Sequence, residues 1–129
     1  MIGFILVTHT EIGKEIQKAV EEILKEPSNI PYVGYDAGRP LQETQEKIRQ
    51  VLETMKDKSG VILLTDLFGA TPSNLCKGLC VPGKIEMVAG CNLPMILKSS
   101  TARFDKTLPE VVEFLKTYGS ENIRVCHSH

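Results

Sequence analysis

His9 follows the apolar run Ile2 to Val7, and Asp66 follows the apolar run Val61 to Leu64. An aspartate that accepts a hydrogen bond from one imidazole nitrogen fixes the tautomer and the ring orientation, which leaves the other nitrogen as a directed base, metal ligand or nucleophile. The stretch after Asp66 narrows the chemistry. Gly69 permits close backbone approach, and Thr71-Pro72 reads as an N-cap followed by proline at the first helical position. Free N–H groups at Ser73 and Asn74 would then face the same edge and favour an anion by about 0.3–1 kcal/mol when exposed. A nucleophilic histidine beside such a helix start suggests a phosphohistidine, which requires no metal. The plainer reading makes His9 an ordinary loop residue, Asp66 a loop cap, and Gly69 and Pro72 turn punctuation. Spacing alone leaves both open.

Other chemistries lack their motifs. The sequence contains no GxxxxGK[ST] loop and no GxGxxG after a strand, so nucleotide cofactors have no support. No GxSxG elbow presents a serine nucleophile, although Ser73 lies near the proposed site. Cys76, Cys80 and Cys91 lack the paired spacing of a zinc site and read as buried thiols. His127 and His129 sit at the C-terminus and receive no role. The expectation is a site with neither metal nor cofactor.

The elements that must position this pair follow from periodicity. Ile2 to Val7 reads as a strand buried on both faces and ending near Thr8. Ile12, Ile16, Ala19, Val20, Ile23 and Leu24 form one face of a helix that Pro27 and Ser28 stop. Ile30 to Tyr35 is a second strand, and Leu41, Ile48, Val51, Leu52 and Met55 return to the helical period. Val61 to Leu64 is a third strand, followed by a short helix from Thr71 that carries Leu75 and Leu79. Ile85 to Ala89 reads as a fourth strand, Gly90 to Pro94 as a turn, and Thr107-x-x-Glu110 as a capping box opening a last helix. A final strand is expected from Asn122 to Cys126. This alternation implies an α/β fold, an open and mostly parallel sheet with helices on both faces. Ligands of such sheets bind beyond the carboxyl ends of the strands. If strands one and three are neighbours, His9 and Asp66 emerge side by side there.

Composition bounds the rest. The 129 residues suit one domain spanning 1–129, with no repeat or linker. Fifteen Lys and Arg against sixteen Asp and Glu give a net charge of −1, and no basic face points to nucleic acid. The apolar runs fall far short of the roughly 20 residues of a membrane-spanning helix, and neither the basic region nor the apolar region of a signal peptide is seen before His9. Four scattered cysteines do not make a disulfide framework, so the thiols are expected reduced and the location cytoplasmic.

Three segments, VTHT around His9, LLTDLFGATPSNL from Leu63 to Leu75 and AGCNLPMIL from Ala89 to Leu97, together resemble the EIIA component of the mannose family of the bacterial phosphotransferase system. The resemblance runs through almost the whole chain. It implies a parallel sheet in the order 2-1-3-4, with an antiparallel C-terminal edge strand exchanged in a homodimer. It further implies that His9 takes a phosphoryl group from phospho-HPr and passes it to an EIIB domain for sugar uptake and phosphorylation. The membrane is reached only through an EIIC/EIID complex. By the same resemblance Asp66 orients the histidine, the loop Phe68, Gly69, Ala70 and Thr71 holds the phosphoryl oxygens, and Asn92 and Pro94 shape a neighbouring wall. Thr10 stands where the family often has glycine, and Gly69-Ala70-Thr71-Pro72 stands where it often has GGSP. A Cβ at Ala70 would make a positive φ there less accessible. Two related roles share this pattern: a phosphoryl carrier feeding a dihydroxyacetone kinase, and a regulatory module that senses phosphorylation. A signalling receiver would need paired acidic residues after strand one, where this chain has Thr8-His9-Thr10.

Overall fold

A computed structural model describes residues 1–127; His129 lies outside the described residues. The elements run β1 (Ile2–His9), α1 (Ile12–Leu24), β2 (Tyr32–Tyr35), α2 (Leu41–Glu53), β3 (Gly60–Thr65), α3 (Thr71–Lys77), β4 (Ile85–Ala89), α4 (Leu93–Thr101) and α5 (Leu108–Glu121). The four strands pair in parallel in the order β2-β1-β3-β4. The α/β class expected from the periodicity and the strand order implied by the family resemblance are those observed.

The sheet is covered on both faces because its central strands are continuously apolar over Ile2 to Val7 and Val61 to Leu64. Along β1, Phe4 and Leu6 point to the face that Ile62 and Leu64 of β3 share, and there they meet Val20 of α1, Met95 and Ile96 of α4, and Val111 and Leu115 of α5. Ile5 and Val7 point the other way, with Val61 and Leu63, onto Ile48 of α2 and Cys76 of α3. The register sets Phe4 beside Ile62, Ile5 beside Leu63 and Leu6 beside Leu64, so each layer continues across the strands. Fully burying one such side chain contributes about 1.5–3 kcal/mol, which makes β1 and β3 a firm base for the residues at their carboxyl ends.

Local signals end the elements. Thr8 is buried and its Oγ1 accepts the Gly13 N–H at 2.9 Å, which supplies the start of α1 with a cap that Glu11, at the N-cap position, does not provide. Thr107 and Glu110 form the expected capping box on α5.

Four expectations need correction. β1 continues to His9 because β2 extends the ladder, pairing Thr8 with Gly34 and His9 with Tyr35. Gly90 to Pro94 is not simply a turn, since α4 begins at Leu93. Asn92 Oδ1 caps that helix by accepting the Met95 N–H at 3.1 Å, and Pro94 stands in its first turn. The hydroxyls of Ser99, Ser100 and Thr101, which make the segment look loop-like in sequence, are absorbed by the carbonyls of Met95, Ile96 and Leu97 one turn back. The cap of α3 is Ala70 rather than Thr71. Finally, residues 123–127 form no strand in this chain, and Ile123 and Val125 are each 75% exposed. A strand exists only through hydrogen bonds to a neighbour, and no strand of this sheet is bonded to that segment. Among the described residues no helix is long and apolar enough to cross a membrane.

Candidate functional site

The sheet order makes β1 and β3 neighbours, so His9, the last residue of one, and Asp66, directly after the other, meet at the carboxyl edge although they lie 57 positions apart. Asp66 Oδ2 accepts the His9 backbone N–H at 3.0 Å and lies 3.0 Å from His9 Nδ1. An acceptor at Nδ1 selects the tautomer that carries its proton there, and Nε2 keeps its lone pair. The imidazole is 35% exposed and the carboxylate 19%, so the pair is rooted in the fold and still reachable.

Two further features shape the surroundings of His9. Thr10 adopts φ 46°, a left-handed conformation unusual for a β-branched residue, and turns the chain sharply after the histidine. Its N–H donates to the Tyr35 carbonyl at 2.7 Å, and its own carbonyl lies so close over Gly34 that a Cβ there would collide with it. The ring of Tyr35 meets the His9 imidazole edge-on, with centroids 6.4 Å apart and planes at 79°. Tyr35 was not among the residues singled out from the sequence; its position at the end of a strand beside β1 is the signal that could have found it.

The loop after Asp66 projects outward. Leu67 is exposed and Phe68 is 73% exposed. Gly69 takes φ 82°, a conformation glycine adopts without steric cost, whereas Ala70 at φ −93° and ψ 172° is extended, so its Cβ imposes no strain. Ser73 is buried; its Oγ accepts the Gly69 N–H at 2.9 Å and donates to the Ala70 carbonyl at 2.9 Å. The Asn74 N–H expected to be free is bonded to the Ala70 carbonyl at 3.0 Å. Helix geometry leaves the N–H groups of Thr71 and Ser73 without an intrahelical acceptor. Seven residues make α3 short, so any attraction for an anion comes from these first-turn groups and from the loop rather than from a long dipole.

Asn92 and Pro94 stand at the start of α4, and Asn92 Nδ2 also donates to the Gly119 carbonyl of α5 at 2.9 Å, tying the two helices together behind the site. Cys91 follows β4 with its N–H on the Thr65 carbonyl at 3.0 Å. Burial, and then the negative charge of Asp66, push its thiol up to about 12, so it stays protonated and is a poor nucleophile. Cys76, pushed up to about 12 by burial, is equally inert.

The profile of the family described as "PTS system fructose IIA component" matches residues 3–116. The chain belongs to this family. The PTS fructose-specific EIIA component of Bacillus subtilis (strain 168) is 28% identical over 130 residues, covering 100% of this chain and 89% of that protein. The sorbose-specific EIIA component of Lacticaseibacillus casei is 32% identical over 112 residues, covering 86% and 80%. Among solved structures, the mannose/sorbose specific IIA subunit of Enterococcus faecalis superposes with a TM-score of 0.85 over 98% of this chain and 96% of that one, at 23% identity. That likeness speaks for the fold. As a IIA component of the phosphotransferase system, the protein takes part in phosphoryl transfer for sugar transport together with other components of that system.

Proposed function

We propose that this EIIA domain, spanning residues 1–129, carries a phosphoryl group on His9 Nε2, accepting it from phospho-HPr and passing it to a histidine of an EIIB domain for sugar uptake and phosphorylation. The observation that carries this reading is the contact of His9 Nδ1 with Asp66 Oδ2 at 3.0 Å at an exposed sheet edge. With Nδ1 held, the Nε2 lone pair attacks phosphorus in line while the bond to the donor nitrogen breaks and the donor imidazole leaves. Asp66 steadies the positive charge that the ring acquires. Because donor and acceptor are both phosphohistidines, the step is nearly isoenergetic and reversible, and it uses no metal or cofactor.

The loop Phe68, Gly69, Ala70 and Thr71 is the candidate holder of the phosphoryl oxygens. With the Gly69 N–H engaged by Ser73, the backbone donors offered there are those of Phe68, Ala70 and Thr71. Membership of the family supports this role for the loop, and its exposure at the same edge suits it. The domain would work in the cytoplasm and meet the membrane only through its EIIC/EIID partners. The exposed apolar residues Ile123 and Val125 suit a C-terminal strand exchanged within a homodimer, where a partner sheet edge would cover them. Light scattering at micromolar concentration should then give twice the chain mass; a monomer would end the exchange.

Intact mass after incubation with phosphoenolpyruvate, Enzyme I and HPr tests the main reading. One acid-labile phosphoryl group is expected, absent from His9→Ala. No added mass from a donor shown to be charged would refute it.

A further inference from the structure

Asp66 holds the His9 ring at one atom only. A single hydrogen bond at Nδ1 leaves the imidazole free to rock about that contact, and an in-line attack needs the Nε2 lone pair aimed to within about 10–20°. The second restraint in the structure comes from the opposite neighbour of β1. Tyr35, at the end of β2, pairs in register with His9 and presents its ring edge-on to the imidazole at 6.4 Å between centroids. Three features of the backbone keep it there. The Thr10 N–H is bonded to the Tyr35 carbonyl at 2.7 Å, the Thr10 carbonyl packs directly over Gly34, and Thr10 itself is locked at φ 46°. The end of β2 is thereby fastened to the residue after the nucleophile, and the aromatic ring is delivered against the imidazole by main-chain contacts on both sides.

We propose that Tyr35 is a positioning residue for phosphoryl transfer: its ring and the Asp66 carboxylate form a two-sided clamp that confines the His9 imidazole to the orientation in which Nε2 faces outward. The inference rests on the phosphotransfer reading. Tyr35 touches the histidine and no reacting phosphorus, so its effect belongs to the turnover step more than to donor binding. The ring carries this effect, because the contact with the imidazole is ring to ring, and the hydroxyl contributes little.

The test compares Tyr35→Leu and Tyr35→Phe with the wild type, using phospho-HPr as donor and NMR of the His9 ring protons. Edge-to-face pairs are strong enough that losing one should lower kcat by about three- to ten-fold, with KM changed by less than about two-fold. Tyr35→Phe should match the wild type within about two-fold on the same scale. The ring-current shift on the His9 protons should vanish in Tyr35→Leu and persist in Tyr35→Phe, which loss of stability alone would not produce. Thermal unfolding confirms that both variants fold. A wild-type kcat in folded Tyr35→Leu, or loss of rate confined to KM, would overturn the role of Tyr35 while phosphotransfer stood. A wild type that gains no phosphoryl group from a charged donor would overturn the phosphotransfer reading and the clamp with it.

Discussion

Both hydrogen bonds that tie His9 to Asp66 converge on a single oxygen: Oδ2 takes the backbone N–H and meets Nδ1, each at 3.0 Å. One atom therefore fixes the end of β1 and the ring that projects from it. Asp66→Asn keeps the shape and can still accept the backbone N–H, but it removes the charge that supports a positive imidazole. Phosphorylation of His9 should slow on the order of 100-fold in a protein that still folds, as measured by rapid quench with phospho-HPr. Retention of the full rate would remove the orienting role of the carboxylate.

The turn after His9 stores strain. A β-branched residue at φ 46° costs about 1–3 kcal/mol, and glycine removes that cost while adding back about 0.5–1 kcal/mol of chain entropy. Thr10→Gly should therefore stabilise the fold by about 1 kcal/mol and raise Tm by roughly 3–5 °C, seen in urea and thermal unfolding. A loss of stability would show that the Thr10 side chain contributes more than its backbone conformation costs. Gly34→Ala should act in the opposite sense, by about 2 kcal/mol or more, because the new methyl meets the Thr10 backbone carbonyl, which cannot rotate away.

The buried hydroxyl of Ser73 joins the Gly69 N–H to the Ala70 carbonyl. Ser73→Ala leaves that N–H without its acceptor, a change that should cost about 1–2 kcal/mol and speed hydrogen exchange at the Gly69 amide. An unchanged exchange rate would mean that the loop keeps its shape without the bridge.

Two thiols, the buried Cys76 and the half-buried Cys91, give stability a slope at alkaline pH. Cys76 and Cys91 are raised from their ordinary 9.0 to about 12. Between those values the unfolded chain has lost the thiol protons and the folded chain retains them, so stability is complete below pH 9 and falls as pH rises toward 12. The limiting slope is about 1.4 kcal/mol per pH unit for each thiol. Cys91→Ala should flatten it in denaturation curves taken at successive pH values. At neutral pH iodoacetamide should label the exposed Cys126 well before Cys76 and Cys91.

Much of this could be read before the chain was folded. The continuous apolar runs Ile2 to Val7 and Val61 to Leu64 have no polar face, which marks them as strands covered on both sides, and they emerge as the centre of the sheet. Thr107 and Glu110 announced α5 by a three-residue spacing that closes within one turn. α4 was not legible in the same way. Its polar end, Ser99 to Thr101, resembles a loop until the hydroxyls are seen bonded to carbonyls one turn earlier, and the Asn92 cap was hidden inside what looked like a turn. The C-terminal residues 122–126 have strand composition, but composition cannot supply a neighbour to pair with.

The sequence by itself determined the kinds and order of the elements other than α4 and the C-terminal segment, and put His9 and Asp66 at the ends of two strands, because periodicity, caps and apolar runs are local and each needs only a few consecutive residues. The tertiary structure alone decided that both bonds from His9 fall on Asp66 Oδ2, that the Tyr35 ring lies against the imidazole, that Thr10 is held left-handed, and that Ser73 rather than the Thr71-Pro72 start braces the loop. Those relationships depend on which strands are neighbours and on distances set to within an ångström by packing, and no short stretch of residues contains that information.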